Sequence, residues 1–161
     1  AQVYQTFELR DGGRSAFLGL LDTNAVRVLQ TARTLMPVTE LAAVTSDSPL
    51  YNEGDRRGLF YAQSWALVHY LVEGREGRYR DGLVKLVSDA VDGHITSSIY
   101  DADRRAGILG RTLGPNTGRD IIATYFDEDY AGFKAGYEAF IDRVVASGNG
   151  TRIWQGRSPI E

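Results

Sequence analysis

The 161-residue chain contains no cysteine, which excludes disulfides and thiolate metal sites and leaves the redox compartment open. Histidine is nearly as scarce. His69 and His94 are the two imidazoles, fewer than a zinc site usually needs unless carboxylates stand beside them, so no metal ligand and no cofactor is assigned to this chain alone. Lys and Arg number 18 against 21 Asp and Glu. With the basic residues scattered rather than clustered, a nucleic-acid or anionic-membrane surface is not expected. No apolar run approaches the roughly 18 residues of a membrane span. The opening "AQVYQTFELRDGG" lacks both the basic and the apolar regions of a signal peptide, and without an initiator Met the true start is expected upstream. There is no G-x-S-x-G and no Gly-rich phosphate loop ahead of a Lys, and the carboxylate pairs show no glycosidase spacing.

What is present reads as helices in series. A hydrophobic fraction of 43% over this length suits one domain with its own core, expected over 1–150 with a tail at 151–161 that Trp154 docks. Val3 and Phe7, with Tyr4 as a further candidate, are spaced as the tail of a helix that "DGG" at 11–13 stops, while Ser15 to Leu21 is open between a strand and irregular backbone. Asp22 is a cap for a helix carrying Val26 and Leu29, and Pro37 opens a short one with Leu41 and Val44. "TSDSPLYNEGDRRG", 45–58, reads as a loop. Later helices are expected over 79–91, ended by Gly93, over 99–113 with interruptions at Gly107 and Gly110, and from a Thr117 cap. A last one, capped by Asp127, has Phe133, Tyr137, Phe140, Ile141 and Val144 on one face.

Between the loop and Gly74 runs "LFYAQSWALVHYLVE", residues 59–73. Phe60, Ser64, Leu67, Val68 and Leu71 trace one stripe, and Tyr61, Trp65, Val68 and Val72 the next. A helix apolar around so much of its circumference belongs at the centre of a bundle. The fold class is therefore all-α, an irregular helical bundle around a central helix at about 59–73, with Leu67 and Val68 its most buried aliphatics. What the apolar pattern leaves unexplained is why that helix carries Tyr61, Gln63, Trp65 and His69, each with a polar end.

"SPLYNEGDRRGLFYAQSWALVHYL" resembles the C-terminal part of zinc-metallopeptidase-like proteins of the gluzincin, or peptidase-MA, type. The likeness is to an uncharacterised bacterial domain family whose members carry "YAQSWALVHYL" almost letter for letter. "AQVYQTFE" looks like the continuation of the family's W-x-x-E-G-L-A segment, and "FLGLLDTNAVRVLQ" and "LMPVTELAAV" look like its linking helices. The resemblance implies that two zinc imidazoles and a glutamate base come from an H-E-x-x-H helix, and the third ligand from the Glu of E-G-L-A. No H-E-x-x-H occurs here. Ala1 matches the last residue of E-G-L-A, so every implied ligand would precede this chain, and zinc is expected only in a longer protein with that motif intact.

The resemblance also implies a role for Tyr61. A tyrosine opening a helix about sixty residues beyond the glutamate ligand points its hydroxyl at the oxyanion of the tetrahedral intermediate, and Tyr61 opens "YAQSWALVHYL" at about that distance. A phenol donates a hydrogen bond without ionising near neutral pH, and a preorganised donor of this kind is worth on the order of 3 kcal/mol. The competing reading is a core tyrosine with a satisfied hydroxyl. Gln63 is the candidate substrate contact, weighed against solvation on the helix face. Trp65 reads as packing, His69 as a packed or surface residue eight positions after Tyr61, and His94 as a loop residue. Glu53, Asp55, Arg56 and Arg57 form a charged, solvated loop.

Two hypotheses remain. One is the downstream half of a metallopeptidase, inactive alone, with the upstream half of the same polypeptide as partner, a peptide as possible substrate and a secreted or envelope-associated bacterial location favoured. The other is a non-catalytic helical interaction or scaffold domain. On the first, Tyr61 belongs at the open end of the bundle, and apolar side chains around Val3, Phe7 and Phe60 should be exposed and invite self-association.

Overall fold

The computed structural model describes residues 7–18, 22–42, 48, 54–114 and 117–146. The architecture is an all-α bundle, with one short hairpin at its N-terminal side. In that hairpin β1 (Phe7–Arg10) pairs antiparallel with β2 (Ser15–Leu18), Phe7 opposite Leu18 and Leu9 opposite Ala16. The helical tail expected across residues 7–9 is thus corrected to a strand, and Ser15–Leu18 of the ambiguous stretch is its partner, residues 19–21 lying outside the described residues. "DGG" closes the reversal between them instead of stopping a helix. Val3 and Tyr4 lie outside the described residues, as does Val44.

α1 (Thr23–Thr31) starts where Asp22 accepts from the backbone N–H groups of Asn24 at 2.9 Å and Ala25 at 3.1 Å, an N-cap that satisfies two orphan donors of the first turn. It buries Ala25, Val26 and Leu29 and packs along the central helix. α2 (Val38–Ala42) follows Pro37, burying Val38, Thr39 and Leu41.

The central helix α3 spans Gly54–Glu73, five residues longer at its start than expected. "GDRRG" is therefore helical despite two glycines, an instance of tertiary context overriding weak propensity. Its burial also departs from the two expected stripes. The innermost positions are Gln63, Ala66 and Tyr70, with Phe60, Ala62, Trp65, His69 and Leu71 also buried, while Leu67 and Val68 are half-buried. Phe60, expected near an exposed patch, is sealed in the core.

α4 (Arg80–Asp92) ends at Gly93, whose left-handed φ of 73° suits a residue without a Cβ. α5 runs Ile95–Arg105, four residues earlier than expected and stopping before Gly107 and Gly110, which both take positive φ. α6 (Gly118–Phe126) begins at Thr117, though the Thr117 side chain makes no capping bond. α7 (Tyr130–Val145) is capped by Asp129, which accepts from the Gly132 N–H at 2.8 Å. Asp127, the expected cap, instead ends α6 in a left-handed conformation. Phe133, Tyr137, Phe140, Ile141 and Val144 are all buried as their spacing requires, and the segment from 147 onward, including Trp154, lies outside the described residues.

The core is one contiguous cluster from α1 to α7. At its heart the Tyr70 ring lies 5.3 Å from those of Tyr79 and Phe133, 5.7 Å from Phe140 and 5.9 Å from Tyr137, tilted or edge-on to each. These are the offset geometries that aromatic quadrupoles favour, worth about 0.5–1.5 kcal/mol per pair beyond area burial.

Candidate functional site

The polar-ended side chains of α3 divide by helical spacing into two sets. Tyr61, Trp65, His69 and Glu73 recur every four residues and drift slowly round one side. Gln63 and Tyr70 are seven apart on another.

Gln63 has no exposed surface. Its Oε1 accepts from the Met36 N–H at 2.8 Å and its Nε2 donates to the Met36 carbonyl at 3.0 Å. The Tyr137 hydroxyl donates to the Gln63 backbone carbonyl at 2.8 Å, and burial, partly offset by that bond, pushes the Tyr137 phenol upward, so it stays a neutral donor. The expectation of a solvated or substrate-facing Gln63 is corrected here. Its amide latches the segment ahead of α2 onto the central helix, because a buried amide must pair both its donor and its acceptor. Nothing in the sequence period of α3 distinguishes a glutamine on the core side from one facing water.

Tyr61 is half-buried and packs against Phe60, ring centroids 5.4 Å apart at 56°. It is not sealed in the core as Tyr70, Tyr79 and Tyr137 are. One turn on, Trp65 is 2% exposed and its ring lies 4.6 Å from that of His69, tilted by 52°. His69 Nδ1 stands 3.5 Å from a Glu73 carboxylate oxygen. Trp65 Nε1 and His69 Nε2 are both buried without a hydrogen-bond partner. His69 is thus a packed residue, and His94 is an exposed boundary residue before α5.

On a second side of the molecule is a cluster the sequence did not signal. Tyr79, 1% exposed, donates to a Glu128 oxygen and lies 3.3 Å from the Tyr70 hydroxyl. Arg75 pairs with the other Glu128 oxygen at 2.8 Å. Burial first, then the hydrogen bonds to Glu128 and Tyr70, pushes the Tyr79 phenol far above its ordinary value. In the "GREG" turn that carries Arg75, Arg75 and Glu76 adopt left-handed backbone at φ 47° and 60°, a conformation that non-glycine residues rarely take.

A third cluster is structural. Asp89 Oδ2 accepts from Lys85 at 2.5 Å, Ser98 at 2.6 Å and Tyr125 at 2.7 Å, tying α4 to α5 and α6. These hydrogen bonds, led by Lys85, hold its carboxyl well below the usual range.

Among the described residues no group of three or more His, Asp or Glu could hold a metal ion, and no helix is long and apolar enough to cross a membrane. Compared with family models, curated proteins and solved structures, the chain matches none.

Proposed function

We propose that this chain is the downstream helical subdomain of a gluzincin-like zinc metallopeptidase that hydrolyses peptide bonds in a longer protein. The eleven residues "YAQSWALVHYL" motivate the reading, and the observation that carries it is the partial exposure of Tyr61. Of the two α3 tyrosines it is the half-buried one, whereas Tyr70 is enclosed by aromatic rings. In the proposed mechanism Tyr61 donates a hydrogen bond to the oxyanion that develops on the scissile carbonyl. Loss of one such donor typically lowers turnover by about 10²–10³. The latch between Gln63 and Met36, two positions along the helix, and the Tyr137 bond to the Gln63 carbonyl hold the Tyr61 backbone in place. The described residues do not fit a zinc ion by themselves.

The test is peptide hydrolysis by the protein carrying the sequence upstream of Ala1, with and without a zinc chelator. Chelator-sensitive cleavage supports the proposal, and an upstream segment without H-E-x-x-H and without activity overturns it. The second reading, a non-catalytic interaction domain, is favoured by one observation. Val84, Val87 and Val91 on α4 are 70%, 55% and 82% exposed, an apolar face of the kind that marks contact surfaces.

A further inference from the structure

We propose that the cleft between the Gly74–Gly77 turn and α7 is a binding site for a small organic carboxylate, its carboxyl group on Arg75 and Arg143 and its apolar part on Phe140 and Ala139. The cleft has a volume of about 220 Å³ and is completed by Tyr70, Gly74 and Gly136. It is independent of the Tyr61 proposal. Tyr70 follows Tyr61 by nine residues, two and a half helical turns, which places it on the opposite side of α3 and about 14 Å along the axis.

Arg75 is held ready before any ligand arrives. Its left-handed backbone, followed by Glu76 and Gly77 also at positive φ, is a conformation that non-glycine residues adopt only at an intrinsic cost. That conformation is offset by the contacts it permits. The guanidinium reaches Glu128 at 2.8 Å and stands near the Tyr70 hydroxyl. Glu128 is itself nearly buried and also accepts from Tyr79, so its negative charge is tied into the wall of the cleft. A guanidinium carries five N–H donors in a rigid plane, more than these two groups engage, and a second edge of that plane matches a carboxylate bidentately. The Tyr70 hydroxyl, then Tyr79 and Glu128, raise Arg75 above its ordinary value and keep it cationic. Because the arginine is fixed in advance, little side-chain entropy is lost on binding.

Gly74 and Gly136 let the Tyr70 side chain pack close and form one wall of the cleft. A Cβ at Gly136 would collide with the Tyr70 hydroxyl and stand 3.6 Å from Arg75 Nη2, and one at Gly74 would collide with the Tyr70 ring. Size and lining then select the ligand. The cleft is several times the roughly 30 Å³ share of one water and below the 300–1,000 Å³ usual for drug-sized ligands. The Phe140 and Ala139 surface offers nothing to an inorganic oxyanion but suits a short apolar substituent.

The experiment is an NMR titration of the 161-residue chain with benzoate, with benzamide and inorganic phosphate as comparison probes. Saturable shifts are expected at the amides of Gly74, Gly136 and Phe140, with benzamide and phosphate at least tenfold weaker. Ala139→Leu, which fills the cleft without altering charge, and Arg75→Gln should each weaken benzoate at least tenfold. Should Arg75→Gln fail to fold, Ala139→Leu and Arg143→Gln carry the test. No saturable shift at those amides, equal binding of benzamide, tighter binding of phosphate, or unchanged benzoate affinity in Ala139→Leu would each overturn the proposal.

Discussion

Helices α3 and α4 are both rich in apolar residues, yet they end in opposite situations. α3 buries eight of the twelve residues from Phe60 to Leu71. α4 has no buried residue along its length; Leu83 and Leu86 are half-buried against the core, while Val84, Val87 and Val91 face outward. The difference is one of neighbours. α1, α2, α4 and α7 all pack on α3, whereas α4 is held by α3, α5 and α6 on one side. Apolar content tells how much surface a helix would hide, and the surrounding elements decide how much it does.

The comparison is sharpest where α3 is tightest. Tyr70→Ala removes a ring that touches four others and should cost about 3–5 kcal/mol in chemical denaturation; a loss under about 1 kcal/mol would mean the centre of α3 is no better packed than α4. Next is Gln63→Leu. It leaves the Met36 N–H and carbonyl buried without their Gln63 partner, and should cost about 2–4 kcal/mol at about 1–2 kcal/mol for each of the two orphaned groups.

On α4 the inner face should respond where the outer does not. A Cβ at Gly82 would collide with the Tyr125 carbonyl oxygen of α6, so Gly82→Ala should cost about 1–3 kcal/mol by overpacking, despite Ala being the better helix former. Replacing Val84, Val87 and Val91 by Thr should change stability by about 0.5 kcal/mol or less at each site. A larger loss would show that the outer face of α4 is covered in solution.

Asp89 gives α4 a pH signature. Its carboxyl is depressed by hydrogen bonds from Lys85, Ser98 and Tyr125, so the folded state holds the anion where the unfolded chain takes up a proton. That contribution is complete above the unfolded value near 4 and is lost as pH falls below it toward the lower folded value. Acid titration of stability should therefore be flatter in Asp89→Asn than in the wild type over that range.

How far the sequence anticipated this depends on the range over which each signal acts. The Asp22 cap, the Gly93 stop and the α7 face were legible because each depends on chemistry within a few turns of one helix. The helical spacing of Val3 and Phe7 covers too few residues to exclude a strand, which hides the hairpin, and the glycines at 54 and 58, which signal a loop, hide the early start of α3. The role of Gln63 was invisible, since it depends on Met36, 27 positions earlier in the chain. So was the Arg75, Glu128 and Tyr79 cluster, which joins residues about fifty positions apart.

The central functional claim rests on Tyr61, and the measurement that tests it most directly is steady-state peptide hydrolysis by the longer, zinc-loaded protein and its Tyr61→Phe variant, with stability measured alongside. The expected result is a fall in kcat of about a hundredfold or more, larger than any accompanying loss of folded protein explains, because the hydroxyl acts in the transition state. Unaltered turnover in the variant, or a loss of activity that merely tracks a loss of folded protein, would contradict it.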